Sequence, residues 1–158
     1  MKLLLLGLLT VFTVANATAD YSRDYLDTAA VRTADSEGTS ITYRVFNESD
    51  TNPKLLLVMG LGGAGSAWGD AFIQNVESQG FEIIVIDNRD TGGSDLFTDW
   101  GTPTVWWQIL KYELGFSVDA PYTLDDMAGD SIAVLDAEGH RQVHVMGVSM
   151  GGMIAQVL

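Results

Sequence analysis

Gly147-Val148-Ser149-Met150-Gly151 sets one serine between glycines two positions away on either side. A serine hydroxyl is a weak nucleophile until it is presented to a substrate and relieved of its proton, and the G-x-S-x-G spacing is one way of presenting it. On a sharp strand-to-helix turn the serine occupies strained backbone, and side chains two residues to either side collide, which accounts for Gly147 and Gly151. The flanks supply that setting. An apolar run, Val143 to Gly147, leads in as a buried strand, and Met150 to Leu158 leads out as a helix. Ser149 is therefore expected to stand in open space, with a helix N-terminus directed at the same point. The chemistry this permits is acyl transfer, in which Ser149 attacks a carbonyl carbon and backbone N–H groups receive the charge that develops on oxygen. The N–H of Met150 is one expected donor. The loop Gly60-Leu61-Gly62-Gly63, which follows an earlier apolar strand, supplies the second through the N–H of Leu61.

The elements that must position these groups can be read from apolar periodicity. Leu55 to Met59 and Glu82 to Ile86 are nearly continuous apolar runs, the pattern of parallel strands covered on both faces. Between them Trp68, Ala71, Phe72, Asn75 and Val76 fall at helical spacing, closed by Gly80. Ser40 to Phe46 alternates Ile41, Tyr43 and Val45 with polar residues, so it predicts a strand near the edge with one wet face. Thr123-Leu124-Asp125-Asp126 offers a helix cap with acids in the first turn. Leu124, Met127, Ala128, Ser131 and Leu135 share one face of that helix, and Gly139 ends it. Alternating elements of this kind give an α/β class with a mostly parallel sheet.

Residues 1–19 stand apart: Met1-Lys2, an apolar run from Leu3 to Val14, then Ala15-Asn16-Ala17 and Ala17-Thr18-Ala19. This is the pattern of a secretory signal peptide, cleaved after Ala17 or Ala19, and the run is shorter than the ~20 apolar residues a membrane span needs. Residues 20–158 then form one incomplete domain in an exported protein without a stable membrane anchor. There is no Cys, so neither a disulfide nor a lipid on cysteine is available. The net charge of −13 excludes a nucleic-acid surface, because the eight Lys and Arg residues are scattered and outnumbered by 21 acids. No cofactor or metal is expected.

Leu57-Val58-Met59-Gly60, Asp87-Asn88-Arg89-Asp90-Thr91-Gly92, Pro121 to Ala128 and His144 to Gln156, in that order, resemble the α/β-hydrolase family. The likeness is greatest to its branch of aclacinomycin methylesterase-like proteins, and it covers about residues 38–158. The resemblance implies an α/β-hydrolase fold and a Ser-His-Asp triad acting on esters or related acyl compounds. Met59 departs from it, standing where many members carry a His that supports the loop. A larger departure is that the chain stops nine residues after Ser149, whereas the family places its Asp and then its His further on. The chain as given is thus expected to be the N-terminal part of the domain, inactive alone. His144 lies five residues before Ser149 on the same strand, about 16 Å away at ~3.3 Å per residue, and His140 lies further back. Both read as structural.

Two rival readings accompany the hydrolase. Gly60-x-Gly62-x-x-Gly65 is also a dinucleotide fingerprint, with Asp87 placed to hold a ribose hydroxyl. An export signal and the second glycine-flanked turn at Ser149 weigh against it. A hydrolase scaffold without a usable His can also serve as a non-catalytic binding protein. Near Arg89 the acids Asp87, Asp90 and Asp95 crowd together, and Arg89 is expected to brace the turn through one of these neighbours. From Pro103 to Leu114, Trp106, Ile109, Leu110 and Leu114 share a helical face, with Trp107 and Tyr112 turned elsewhere. Core packing is the default expectation for that face, and the functional alternative is a wall beside Ser149 that receives a small apolar ester-like substrate.

Overall fold

The computed structural model describes residues 25–101, 105–118 and 120–158. The signal peptide expected at residues 1–19 lies outside them, as does Pro103. The elements run β1 (Val31–Ser36), β2 (Thr39–Phe46), β3 (Lys54–Val58), α1 (Asp70–Ser78), β4 (Glu82–Ile86), α2 (Val105–Glu113), α3 (Leu124–Ala137), β5 (His144–Gly147) and α4 (Met150–Val157). The five strands form one sheet in the order β1-β2-β4-β3-β5. β3 pairs parallel with β4 and β5, and β2 pairs antiparallel with both β1 and β4. The sheet is therefore mixed, with its parallel part where the apolar runs placed it.

Strand alternation divides the core into two layers. Leu56 and Val58 of β3, with Ile84 and Ile86 of β4, pack under Met127, Ala128, Val134 and Ile154 of α3 and α4. Leu55 and Leu57, with Ile83 and Val85, face Ile73 of α1, Phe46 and Leu26. Strands this apolar on both faces must be covered on both, and that requirement places β3 and β4 at the centre.

The remaining expectations are met in part. β2 is one strand inside the edge, which β1 occupies; the turn between them, Glu37-Gly38, has both residues at positive φ, 52° and 87°. Its polar face is not wet, because Thr42 is buried beneath Gly93 and Ser94, donating its N–H to Ser94 Oγ at 2.8 Å. In α1 the fully buried residue is Ile73. Trp68, Phe72 and Val76 pack beside it, while Ala71 and Asn75 face solvent. Trp68 precedes the helix in a 3-10 turn, so it does not share the α-helical register. α3 starts as expected, in a reciprocal cap: the Asp126 N–H donates to Thr123 Oγ1 and the Thr123 N–H to Asp126 Oδ2. β5 is not buried. Its residues alternate between exposed and half-buried, because no described strand pairs with its outer side.

Candidate active site

Ser149 sits between the end of β5 and the start of α4, exposed, with φ 55° and ψ −120°. Positive φ in a residue with a Cβ is strained, and such strain persists only where the surroundings dictate it. Here the surroundings are two close backbone approaches. A Cβ on Gly147 would fall onto the carbonyl of Gly151, and a Cβ on Gly151 would fall onto the carbonyl of Val58, with the Met59 carbonyl 2.8 Å away. The two glycines thus allow α4 to fold back tightly against β5 and the end of β3. The ladder between those strands extends one step into the turn, the Val148 N–H donating to Val58 O at 3.2 Å.

The loop after β3 reaches the same point. Gly60 lies beside the serine: a Cβ there would stand 3.1 Å from Ser149 Cβ and 3.6 Å from Ser149 Oγ. Residues 60–63 form a tight turn in which the Gly63 N–H donates to Gly60 O at 3.1 Å, and Gly62, φ 70°, fills the position a type II turn reserves for glycine. That bond fixes the plane of the peptide joining Gly60 to Leu61. Since a trans peptide carries its C=O and N–H on opposite sides, the Leu61 N–H points away from the turn. Met150 is the first residue of α4, where an N–H has no partner within the helix. The backbone therefore places Gly60, the residue before Leu61, and Met150, the first residue of α4, on either side of Ser149.

Several polar residues around this centre are committed elsewhere. Asp87, at the end of β4, is buried and accepts from the Gly65 N–H (2.7 Å) and the Gly93 N–H (2.9 Å). One carboxylate oxygen goes to each loop, so Asp87 braces the two loops together, and α1 begins only at Asp70, five residues past Gly65, where the dinucleotide reading needs a helix opening at the glycines. Arg89 does not pair with Asp87, Asp90 or Asp95. It reaches across to α3, where Nε and Nη2 each lie 2.7 Å from the two carboxylate oxygens of buried Asp130. Asp90 accepts from the Phe97 N–H and Asp95 from the Ser40 N–H, which removes both from the arginine. Phe97 and Tyr122 cover the guanidinium, at 5.7 Å and 5.3 Å from their ring centres. This α3 partner, 41 residues away, carried no local signal in the sequence.

The histidines are structural, as expected. His140 Nε2 lies 2.9 Å from Glu82 Oε1, at the end of the sheet away from Ser149, and His144 packs edge-on to Phe81. Glu82 also accepts from Lys54 Nζ (2.6 Å) and the Ser49 N–H (2.8 Å). Burial alone raises its carboxyl, but these hydrogen bonds outweigh burial and hold it below the usual range. Among the described residues no cluster of three His, Cys, Asp or Glu side chains could hold a metal ion. α2 departs from the core-packing expectation: Trp106 is 81% exposed and Leu110 46%, with Trp107 and Leu114 also exposed. Its periodicity is that of an amphipathic helix, yet Trp106, Leu110 and Leu114 lie outside both core layers.

The sequence profile of the alpha/beta hydrolase fold family matches residues 53–158. The chain belongs to the α/β-hydrolase family. Over 104 residues it is 34% identical to rhodomycin D methylesterase DauP of Streptomyces sp. (strain C5), an alignment covering 66% of this chain and 29% of that protein. A hydrolase from Pseudomonas aeruginosa PA01 superposes with a TM-score of 0.59 at 24% identity, over 80% of this chain and 39% of that one. A Vigna radiata epoxide hydrolase mutant superposes with a TM-score of 0.60 at 21% identity, over 82% of this chain and 34% of that one. The chain thus spans about a third of the length of the proteins it matches.

Proposed function

We propose that the protein is a serine hydrolase acting on carboxylic esters through an acyl-enzyme on Ser149. The single observation that supports this reading best is the backbone at Ser149: a non-glycine residue held at φ 55° by contacts that exclude any Cβ at Gly147 and Gly151. An arrangement that strained is explained by the need to expose one hydroxyl. In the proposed reaction Ser149 Oγ attacks the ester carbonyl and the Leu61 and Met150 N–H groups receive the oxyanion. The alcohol then leaves with the proton that Ser149 surrendered, and water releases the acid. An ester is preferred to an epoxide because the α/β-hydrolases that open epoxides, which this chain resembles in fold, carry an Asp at the elbow. The likeness to DauP, named as a methylesterase, points the same way.

His140 is engaged by Glu82 and His144 by Phe81, so the proposal assigns the base to neither histidine. Residues 1–158 taken alone are proposed to be inactive. The exposed aromatics of α2 are proposed as the wall that receives a small apolar substrate. Export through the leader at residues 1–19 completes the reading, and N-terminal sequencing of the mature protein checks it by finding the start at Thr18 or Asp20. For the chemistry, the full-length protein should hydrolyse short chromogenic esters and lose turnover in Ser149→Ala. Turnover retained in that variant, or a fluorophosphonate probe bonded to a different serine, refutes the proposal.

A further inference from the structure

Asn88 is buried at the C-terminal end of β4, and its side-chain amide crosses to the neighbouring strand, where Nδ2 lies 2.8 Å from the carbonyl oxygen of Met59. A carbonyl can only accept, so the amide must present its NH₂ group there. The same carbonyl closes against Gly151 at the start of α4, and the peptide it belongs to is the one before Gly60, which touches Ser149. Met59 has only a thioether and cannot donate a hydrogen bond that would hold this peptide in plane. Asn88 is itself fixed, because its own carbonyl accepts from both the N–H and the hydroxyl of Thr91, at 3.0 Å and 2.7 Å.

We propose that Asn88 is a positioning residue for the oxyanion site: its amide sets the plane of the peptide between Met59 and Gly60, and through it the direction of the Leu61 N–H. The Gly63-to-Gly60 bond holds the Leu61 peptide from one side, and the Asn88-to-Met59 bond holds the preceding peptide from the other. Two consecutive peptides anchored in this way leave the donor little freedom to rotate. Pre-set donors stabilise the oxyanion without reorganising during the reaction, so loosening one lowers kcat while leaving ground-state binding alone.

The inference rests on the serine-hydrolase reading, and its test separates the two. The full-length protein is assayed at pH 8 with p-nitrophenyl acetate, and its affinity for phenylboronic acid, which forms a tetrahedral adduct on a reactive serine, is measured alongside. Asn88→Asp keeps the side chain's size but replaces a donor with an ionised acceptor facing a carbonyl. Asn88→Ser loses the bond and some volume without introducing repulsion. Asn88→Asp should lower kcat and boronate affinity at least about tenfold, a fraction of the ~10²–10³ that loss of a whole donor costs, with KM within about twofold. Asn88→Ser should fall between it and the parent protein. A role in packing alone reverses that order, because aspartate preserves the volume that serine gives up. The reversed order, or parental kcat in Asn88→Asp, overturns the inference. Should Asn88→Asp not fold, parental kcat in Asn88→Ser overturns it equally. Ser149→Ala is the separating control: turnover surviving there sinks the hydrolase reading, whereas turnover lost there but untouched by Asn88 changes sinks only the role of Asn88.

Discussion

Replacing Asp130 by alanine strands Arg89 in the interior, and the size of the effect follows from how thoroughly the pair is enclosed. Asp130 is 1% exposed and Arg89 8%, and the guanidinium meets the carboxylate through two hydrogen bonds of 2.7 Å. Removing one member of a buried ion pair costs about 3–5 kcal/mol, because the other charge keeps its desolvation penalty and loses its compensation. Arg89 would still keep the Asp126 carbonyl at 3.3 Å and the faces of Phe97 and Tyr122. Those remaining contacts place the expected loss for Asp130→Ala near the lower bound, at about 3 kcal/mol. With a urea dependence of ~2 kcal/mol per molar, the unfolding midpoint of the full-length protein should fall by about 1.5 M. The double variant Arg89→Met with Asp130→Leu removes both charges and restores apolar contact, so it should recover to within about 1 kcal/mol of the parent. A single variant within about 1 kcal/mol of the parent refutes the reasoning, and so does a double variant as unstable as the single.

Gly151→Ala should abolish esterase activity and lower stability by several kcal/mol on the order of an overpacked core site, since its methyl would meet the Val58 carbonyl; activity retained in a folded variant counts against the tight turn. Tyr43 is buried and donates its hydroxyl to Glu138 at 2.6 Å, and burial first, then that bond, push it from 10 to about 12. The folded state holds this proton more tightly than the unfolded chain, so its stabilisation is complete below pH 10 and lost as pH rises towards 12. Urea titrations across pH 8–12 should show that loss, and Tyr43→Phe should reduce it; an unchanged slope in the variant removes Tyr43 as a cause. Residues 20–158 expressed alone should bind a hydrophobic dye and melt without cooperativity, because Met146, Val148, Met153 and Val157 stand exposed around β5 and α4. A sharply melting monomer would contradict that and favour a binding protein.

How much of this was legible in the sequence depended on the range of the interaction. β3, β4, α3 and the turn at Ser149 are written in contiguous residues, as apolar runs, a capping box and paired glycines, and each was legible. β1 was missed because its inward face offers only Ala34 and Ser36, too small to mark a strand. The Arg89–Asp130 pair and the Asn88–Met59 bond join residues 41 and 29 positions apart, and nothing local distinguishes Asp130 from the three acids nearer to Arg89. α2 shows a different limit. Periodicity reveals that a helix has an apolar face but not what lies opposite, so Trp106 and Leu110 read as core and prove exposed. β5 was taken as buried for the same reason, its apolar residues being present without a neighbouring strand to cover them.

Ser149 and Gly60 are 89 positions apart in the chain and lie side by side only because β3 and β5 pair as Leu55 with His144, Leu56 with Val145, Leu57 with Met146 and Val58 with Gly147. A slip of one residue in that pairing would displace the serine along the strand by ~3.3 Å, more than the length of a hydrogen bond, and turn alternate side chains to the wrong face. Gly151 reports on the alignment. Its bare Cα fits against the Val58 carbonyl only in the native register. Misaligned molecules would therefore lose both their packing and the turn that exposes Ser149. The contact that exposes the serine thus also proofreads the fold, because it forms only in molecules whose central strands are in register.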